Sequence, residues 1–577
     1  MSSSWVGEMP RSNWFMKLMV MDGQEIFTLT SPPLSAASST SSPPPECAER
    51  RKPNILFILA DQVSAPLLRI HNDKSPIKTP NIDALAAKSA VFSSAYCASP
   101  LCAPSRSSLV TGQLPSQIGA WDNASPLGCD APTYAHYLRR EGYETVLAGK
   151  MHFIGEQLHG YEERLTSDIY PGDFGWAVNW DDPDRRLEWY HNESSILQAG
   201  SCIRSNQLDF DEEVMFKATR YLYSTARRPS DSRPFCLTVS LTHPHDPYTI
   251  HREYWDRYEG EDIPPPSVTI PEEEQDPHSQ RLLNVCGLKD AKLPDEAIAR
   301  ARRAYFGAVS YVDDNVGKLL EVLKECGMDE DTIVVFSSDH GDMLGERGLW
   351  YKMSWFEASA RVPLLISYPK HFEPQTITRN VSALDILPTL VDLVNGSLDK
   401  RLPIDGSSLV PYLHGFNGKD SNDTVYGEYA GEGTIAPLMM IRRGPWKFIT
   451  CPVDPPQLFN LLEDPKELHN LATSIDPGVQ EVFNAFAKEA HARWDFDRIH
   501  AEVLKSQRMR RLCWDALKQG RFHSWDYQPH ENAGSQYIRS NIHLDELELR
   551  ARYPPVDHMG REKKRGDAKG IAAAWGE

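Results

Sequence analysis

Apolar runs that stop abruptly at polar residues constrain the fold of this chain more than any other feature of the sequence. The run NILFILA at 54–60 ends at Asp61, and PFCLTVSLTH at 234–243 and DTIVVFSSDHGD at 331–342 have the same character. Such runs are typical of strands that are buried on both faces, as in parallel sheets. Because helical patterns separate them, we predict an α/β fold with a large doubly wound sheet, mixed or mostly parallel, flanked by helices.

The spacing of apolar residues predicts several connecting helices. We place one at 82–92 (IDALAAKSAVF), one in TYAHYLRREGY with a stop at Gly142, and a long one at 304–327. A further short helix is predicted from about Ser105 to Thr111, directly after Cys102.

Changes in composition divide the chain into four predicted parts. The Ser- and Pro-rich end of 1–50 predicts a disordered N-terminal extension. Residues 51–420 contain the strand–helix alternation. The pattern of 421–520 predicts a smaller C-terminal α+β domain with an antiparallel sheet. The polar residues 521–577 are expected to form a tail that acts as an oligomerisation arm.

Charge, hydropathy and cysteine spacing exclude several classes of partner. The chain has 80 acidic and 61 basic residues, a net charge of −19, which disfavours binding to a nucleic-acid backbone. It contains no apolar run of about 18 residues, so we expect no membrane span. The ten cysteines include no CxxC pair, which favours a reducing compartment and a cytoplasmic protein.

Polar and titratable residues follow four of the predicted strands. These pairs are Asp61 with Gln62, Lys150 with His152, His243 with His245, and Asp339 with His340. A single Asp at a strand end is usually a helix cap, but ligands gather at the carboxyl edge of such sheets, and four converging sets are not explained by capping. Carboxylate and amide oxygens with one imidazole suit a hard divalent cation such as Ca²⁺ or Mg²⁺.

The segment LCAPSRSSLVTG at 101–112 places Cys102, Pro104 and Arg106 before a predicted helix. A helix N-terminus stabilises anions and lowers the pKa of a thiol, and the Arg106 guanidinium suits a tetrahedral oxyanion. One interpretation is a small buried cysteine in a proline turn. A second is a thiolate nucleophile, as in cysteine hydrolases, but this would leave the metal-like residues unexplained.

The motif Cys-Ala-Pro-Ser-Arg at 102–106, followed by SSLVTG, resembles the signature of the sulfatase family. The accompanying segments also resemble that family over roughly 52–550: PNILFILADQ, GKMH, HPHDPY, SSDHGDMLGERGLWYK and LFNLLEDPKELHNLA. In this family the motif cysteine is oxidised to formylglycine (3-oxoalanine) by a maturation enzyme. The resemblance therefore implies that Cys102 is a precursor of an aldehyde.

The resemblance implies a sulfuric ester hydrolase that acts through a hydrated aldehyde at residue 102. One of its two hydroxyl groups attacks sulfur and the alcohol leaves. The other then loses its proton, sulfate is expelled and the aldehyde returns. A serine would be left as a stable sulfate ester, which explains the need for a geminal diol.

Site roles follow from the same resemblance. One divalent metal, expected to be Ca²⁺ with Mg²⁺ or Mn²⁺ as alternatives, is bound by Asp61, Gln62, Asp339, His340 and residue 102. The metal and Arg106 hold the sulfate oxygens, and Arg106 also orients the hydrated aldehyde together with Lys150. His152 is expected to be the base that releases sulfate. His245 and Lys352 contact sulfate and assist the leaving alcohol, with His243 as the alternative to His245.

The segments GKMHFIGEQLHGYEERLTSDIYPGDFGW and GEYAGEGTIAPLMMIRRG resemble the choline-sulfatase subfamily, as does the Asp61–Gln62 pair. The expected substrate is choline-O-sulfate. A quaternary ammonium is recognised by aromatic faces and diffuse negative charge. The candidates are Trp176 and Trp180, with Trp176 favoured, together with Glu428, Glu432 and, from the tail of a neighbouring copy in a dimer or tetramer, Asp545.

Two alternatives remain at this point. Another enzyme of the same superfamily, an alkyl or aryl sulfatase or a phosphonate or phosphate monoester hydrolase, would share the metal and the aldehyde. The other alternative is a binding protein for choline esters in which Cys102 is never oxidised, so that the ester is bound and not hydrolysed.

Overall fold

The computed structural model describes residues 52–170, 172–416 and 423–521, and the backbone of two antiparallel strands, β1 (Val20–Met21) and β2 (Gln24–Glu25). Contacts divide the chain into two compact units, Met1–Arg51 and Lys52–Glu577. The predicted extension, apart from β1 and β2, and the tail beyond residue 521 lie outside the described residues. The four-part division of the chain stays a prediction.

Fifteen further strands lie in the described part of the second unit. They are β3 (Asn54–Ala60), β4 (Ala90–Tyr96), β5 (Glu144–Gly149), β6 (Glu163–Arg164), β7 (Gly200–Cys202), β8 (Phe235–Ser240), β9 (Thr249–His251), β10 (Thr332–Ser338), β11 (Arg361–Val362), β12 (Leu364–Ser367), β13 (Gln375–Ser382), β14 (Thr424–Tyr429), β15 (Leu438–Arg443), β16 (Trp446–Cys451) and β17 (Asp454–Asn460).

The α-helices of the same part of the chain are α1 (Pro80–Ala86), α2 (Cys102–Thr111), α3 (Pro115–Ile118), α4 (Tyr134–Arg140), α5 (Ser194–Leu197), α6 (Asn206–Ala226), α7 (Arg252–Asp256), α8 (Pro277–Val285), α9 (Asp295–Glu325), α10 (Glu357–Ala360), α11 (Ile386–Leu393), α12 (Val410–Leu413), α13 (Pro477–Arg493) and α14 (Phe496–Leu517). None of these helices combines the length and the apolar character that crossing a bilayer requires.

The main sheet has nine strands in the order β11-β4-β12-β10-β3-β8-β5-β6, with β13 paired to β4. Strands β10, β3, β8, β5 and β6 run parallel to one another, and β12 runs antiparallel to β10. Every residue of β3, β8 and β10 is buried, as their apolar sequences require when helices cover both faces. The predicted doubly wound, mostly parallel sheet is confirmed.

Two helix predictions were wrong at their ends. The helix predicted at 82–92 ends at Ala86, because the last residues of that pattern belong to β4, which pairs with β11, β12 and β13. Pairing in the sheet overrides the helical spacing of this apolar stretch. The long helix begins at Asp295 rather than Ala304, since its first turns are also amphipathic and capped by Pro294.

The C-terminal sheet is antiparallel, in the order β14-β15-β16-β17. Its apolar face packs against α13 and α14 around Phe448, Phe486 and Val503. The predicted antiparallel sheet is confirmed.

Candidate active site

Strand register brings the predicted strand-end residues to one edge of the main sheet. Ser338 of β10 pairs with Ala60 of β3, so Asp339 and Asp61 leave the sheet side by side. Gly149 of β5 pairs with Ser240 of β8 in the same direction, so Lys150 leaves the sheet at the same edge. The Lys150 ammonium donates to Asp61 Oδ2.

Helix α2 begins at Cys102 itself, three residues earlier than predicted. Proline at residue 104 lies in the first turn, where its missing N–H costs no hydrogen bond. The Ser105 hydroxyl donates to the Asp339 carbonyl at 2.6 Å, and Ala103 N–H donates to Asn123 Oδ1 at 3.0 Å. These contacts fix the start of α2 against the sheet edge, so the Cys102 side chain is held beside the carboxylates.

The Arg106 side chain is fully buried and holds the two carboxylates. Its Nε donates to Asp339 Oδ2 at 2.7 Å, and its Nη2 lies 3.5 Å from Asp61 Oδ2. Its Nη1 donates to the Lys150 carbonyl at 2.6 Å. These contacts orient the two carboxylates. Nη2 makes no hydrogen bond in the described structure, and the role of Arg106 in holding the sulfate oxygens stays a prediction.

Four groups converge on one point. Asp61, Cys102, Asp339 and His340 each offer an atom within 4.8 Å of the others, and all four are buried. Cys102 Sγ lies 3.2 Å from His340 Nε2. Asp61 Oδ1 is buried without a hydrogen-bond partner. An unpartnered carboxylate oxygen among two acids and an imidazole fits a divalent cation at this point.

The field at Cys102 distinguishes it from other cysteines. Burial would raise the pKa of its thiol, but the charges of Lys150, Lys352 and His340 outweigh burial and hold the pKa well below its usual range. By contrast, burial raises the pKa of the Cys97, Cys236 and Cys286 thiols. This edge of the sheet therefore stabilises negative charge at residue 102.

Gln62 lies in the left-handed region with φ of 70°, and its backbone and amide are both held. Its N–H donates to Asp339 Oδ1 at 3.1 Å, and its carbonyl accepts from the Tyr305 hydroxyl at 2.7 Å. Its Oε1 accepts from Lys352 Nζ at 2.8 Å. The amide oxygen of Gln62 therefore faces the Lys352 ammonium.

A second cluster surrounds the Lys352 ammonium. Lys352 Nζ lies 2.6 Å from His245 Nε2 and 3.3 Å from His191 Nε2. Burial would raise the pKa of Asp246, but His191 and His245 lower it, so this carboxylate is charged beside them. Burial lowers the pKa of Lys352, but the negative charges of Cys102, Asp246 and Asp61 raise it by more, so the ammonium keeps its proton.

The His152 ring lies among aromatic side chains. It packs edge-on to Trp176 with centroids 5.7 Å apart and against Tyr170 at 5.5 Å. Both ring nitrogens are buried without a hydrogen-bond partner. His152 has a φ of 57°, and its N–H donates to Asp168 Oδ2 at 2.8 Å. Such strain persists only where surrounding contacts impose it, and here it aims a free imidazole at the site.

Trp176 begins an aromatic wall that leads to Glu432. Trp176 stacks on Trp189 with centroids 6.0 Å apart, and Trp189 meets Tyr190 at 4.4 Å. Burial and then the Glu432 charge raise the pKa of Tyr190. Glu432 Oε1 is buried and unpartnered. Burial raises the pKa of Glu432 to about 7. The charge of Lys352 lowers this pKa, and the charge of Cys102 raises it.

Several expected residues are not brought to the site. Glu428 accepts from the Ser116 N–H and hydroxyl and from Trp494 Nε1 at 2.7 Å, so it binds α3 to the C-terminal helices. Trp180 packs in the core of the C-terminal sheet, and its backbone N–H donates to Gln507 Oε1 of α14 at 2.8 Å.

His243 is held away from the Lys352 cluster. Its Nδ1 lies 2.7 Å from Asp211 Oδ2, and its ring packs on Tyr311. His245, which contacts Lys352, is therefore the better placed of the two. Asp545 lies outside the described residues.

Three residues at the site were missed by the sequence reasoning. Tyr170 contacts His245 Nδ1 through its hydroxyl at 3.0 Å and lies with its ring 4.2 Å from the Lys150 ammonium. His191 and Asp246 belong to the Lys352 cluster. Tyr170 and His191 follow no predicted strand, and the density of aromatic residues at 170–190 is a signal that could have indicated this region.

The side chains at the site differ in their exposure to solvent. Cys102 is 1% exposed, whereas Tyr170, Trp176 and His191 are partly exposed. Among these residues, the partly exposed aromatic side chains lie between the buried residue 102 and solvent-accessible surface of the described structure.

Comparisons with known proteins agree with this geometry. The family model described as Sulfatase matches residues 53–397. A phosphonate monoester hydrolase of Agrobacterium radiobacter shares the fold, with a TM-score of 0.62 at 23% identity over 78% of this chain and 96% of that one. An arylsulfatase of Clostridium perfringens is 29% identical over 73% of this chain and 91% of its own length. The chain belongs to the sulfatase family.

Within the family, the chain is similar to a choline-sulfatase of Rhizobium meliloti (strain 1021). The two are 47% identical over 510 residues, which cover 87% of this chain and 99% of the relative. The model described as Choline sulfatase enzyme C terminal matches residues 501–553, and the model described as N-sulphoglucosamine sulphohydrolase, C-terminal, matches residues 345–493. The chain is a sulfuric ester hydrolase by family, and its family implies a divalent metal and a formylglycine.

Proposed function

We propose that this protein hydrolyses choline-O-sulfate to choline and sulfate at the cluster around residue 102. The observation that carries the proposal is the convergence of Asp61, Asp339 and His340 on Cys102, next to the aromatic wall that begins at Trp176. The identity with a choline-sulfatase over most of both chains supports the choice of substrate.

The metal would be held by Asp61, Gln62, Asp339, His340 and residue 102, and Ca²⁺ suits this oxygen-rich set, with Mg²⁺ or Mn²⁺ as alternatives. When bound, it withdraws electron density from the sulfuryl oxygens and balances the charge that develops there. Arg106 keeps Asp61 and Asp339 in position, and Lys150 neutralises Asp61. The Cys102 sulfur stands where an oxygen of the hydrated formylglycine would lie.

Lys352 and His245 serve the leaving alcohol. Choline is a poor leaving group, so the ester oxygen needs a proton as the bond to sulfur breaks. The Lys352 ammonium keeps its proton and lies 2.6 Å from His245 Nε2, so the two can pass a proton to that oxygen. Asp246 and His191 hold the pair in place.

His152 serves the second half of the reaction. Its unpartnered ring nitrogens can accept the proton of the remaining hydroxyl group at residue 102 as sulfate leaves. The strained backbone at this residue, held by Asp168, fixes the approach of the ring.

The cationic end of the substrate would lie between Trp176 and Glu432. The face of an indole attracts a quaternary ammonium, and a nearby carboxylate adds to the attraction. Glu432 Oε1 has no partner of its own in the described structure. A buried carboxylate oxygen without a partner is costly, and a bound cation would reduce that cost.

The test is turnover by purified protein of three esters: choline-O-sulfate, 3,3-dimethylbutyl sulfate and 4-nitrophenyl sulfate. The second has the shape of choline without its charge. We expect kcat/KM to be highest for choline-O-sulfate and expect the Cys102→Ala variant to lose turnover of all three. A preference for the aryl ester would favour an arylsulfatase instead, and no turnover would favour a binding protein.

The proposal includes maturation of Cys102 by a formylglycine-generating enzyme, a homo-oligomer and a cytoplasmic location. Eight cysteines of the described residues carry free thiols, which fits a reducing compartment: Cys97, Cys102, Cys129, Cys202, Cys236, Cys286, Cys451 and Cys513. The homo-oligomer, a dimer or tetramer, would place a tail carboxylate such as Asp545 near the substrate of a neighbouring copy.

A further inference from the structure

A glutamine ligand raises a problem that an aspartate ligand does not. A carboxylate presents oxygen at either end, whereas an amide presents oxygen at one end and NH₂ at the other. Only the oxygen can bind a cation. Gln62 must therefore be oriented, and its contacts show how this is done.

The two ends of the Gln62 amide meet opposite partners. Its Nε2 donates to Asp342 Oδ2 at 2.7 Å, and its Oε1 accepts from Lys352 Nζ at 2.8 Å. An ammonium can only donate and a carboxylate can only accept, so the reverse orientation would place a donor against a donor. The amide oxygen is thereby directed to the site.

Asp342 is itself fixed by three donors. Its Oδ2 also accepts from the Tyr248 hydroxyl at 2.9 Å, and its Oδ1 accepts from the Leu344 N–H at 2.8 Å. Its side chain is fully buried. Because all three of these partners are donors, the ionised Asp342 carboxylate presents an acceptor to Gln62.

We propose that Asp342 is a positioning residue for the metal, which fixes the Gln62 amide with its oxygen toward the cation. The inference rests on the metal site of the proposed function. Groups behind a metal ligand that set its orientation typically change metal affinity 10- to 100-fold when they are replaced.

The substitution Asp342→Asn changes one oxygen to NH₂ with little change in shape. Leu344 N–H needs an acceptor, so the Asn oxygen stays at that position and the new NH₂ faces Gln62. The Gln62 amide then either keeps a donor against a donor or reverses, which turns its NH₂ toward the cation. We expect the Kd for Ca²⁺, measured by calorimetry on metal-stripped protein with Mg²⁺ in parallel, to rise at least tenfold.

A second substitution makes the test specific to orientation. Gln62→Glu removes the NH₂ and gives residue 62 two equivalent oxygens. Alone, it places a carboxylate against Asp342, and we expect weaker binding. Combined with Asp342→Asn, it receives a hydrogen bond from the Asn NH₂, and we expect the Kd to return to within threefold of the unsubstituted protein or below it.

Asp313 provides a matched control. It is also fully buried, and it accepts from the Asn81 amide, the Asn81 N–H and the Ile82 N–H, away from the site. Asp313→Asn tests the general effect of losing a buried carboxylate, and we expect its Kd for Ca²⁺ to stay within twofold.

The outcomes separate the two proposals. If the unsubstituted protein binds neither cation, the metal site fails and this inference with it. If it binds and Asp342→Asn stays within threefold, only the role of Asp342 is wrong. Should Asp342→Asn not fold, Gln62→Glu is compared with the unsubstituted protein; weaker binding, from a carboxylate placed against Asp342, supports the role, and equal or tighter binding overturns it. Turnover of choline-O-sulfate enters none of these readouts.

Discussion

Single side chains decide which ester the site accepts, and Trp176 is the clearest case. The indole stacks on Trp189 and meets His152 edge-on, and in the proposed function it contacts the cationic end of the ester. We expect Trp176→Ala to raise KM for choline-O-sulfate about tenfold more than KM for 3,3-dimethylbutyl sulfate, since only the first is charged. Trp180→Phe, in the C-terminal core, is the control; equal effects on both esters would remove Trp176 from the cation pocket.

The raised pKa of Glu432 predicts that binding of a cationic ester depends on pH. Burial raises the pKa of Glu432 to about 7, so the carboxylate is charged above pH 7 and neutral below it. A quaternary ammonium does not titrate, so KM for choline-O-sulfate should rise as pH falls from 8 to 6, while KM for 3,3-dimethylbutyl sulfate stays flat. Glu432→Gln should have the high KM at every pH. A KM that is independent of pH in the unsubstituted protein would contradict this assignment.

The sequence predicted the residues that follow strands and missed those in loops. Asp61, Lys150 and Asp339 end apolar runs, and the register of parallel strands necessarily places them at one edge. Tyr170 and His191 reach the site through irregular chain between elements. No periodicity describes such a path, so their positions could not be predicted.

At the scale of elements, the close approach of β5 and β8 holds Lys150 in place. Gly149 has a φ of 105°, and a Cβ there would lie 1.9 Å from the Ser240 carbonyl oxygen. We expect Gly149→Ala to lower the free energy of unfolding by about 3 kcal/mol or more, from backbone strain and overpacking together. Denaturant unfolding measures the loss.

Gly155 separates strain from packing. It has a similar φ of 93°, but a Cβ there would meet no atom within 4 Å. Gly155→Ala should lower the free energy of unfolding by about 1–2 kcal/mol, from backbone strain alone. If both substitutions had the same effect, the contact between β5 and β8 would not be what constrains Gly149.

The elements predicted most accurately are the strands that are buried along their whole length. The runs of β3, β8 and β10 could be assigned because a strand buried on both faces needs apolar residues throughout. The start of α2 was placed too late, because the contacts that extend it to Cys102 come from Asn123 and Asp339. Both partners are distant in sequence, so no local pattern near Cys102 indicates these contacts.

At the scale of the whole molecule, α14 is joined to the catalytic part by a buried ion pair. Both terminal nitrogens of Arg510 bind the Asp122 carboxylate, which is fully buried. We expect Arg510→Ala to lower the free energy of unfolding by about 3–5 kcal/mol, because it leaves Asp122 buried and unpaired. Arg508 is exposed and pairs with Asp181, so Arg508→Ala should change stability little. Equal effects of the two substitutions would contradict this.

The sequence indicated a change of architecture near residue 420 but not how the parts are joined. Asp122 and Arg510 are 388 residues apart, and neither has a local pattern that marks it as a partner. Glu428 was predicted to bind substrate from the segment that begins GEYAGEG. In the structure it contacts Ser116 and Trp494, which are distant in sequence and which no local pattern indicates.

The structure of the mature protein with Ca²⁺ and inorganic sulfate tests the central claim most directly. We expect the ion within about 2.6 Å of oxygens from Asp61, Asp339 and residue 102, with residue 102 as formylglycine and sulfate beside it. An unmodified thiol with no ion near it, or an ion bound instead by His191, His245 and Asp246, would contradict the mechanism.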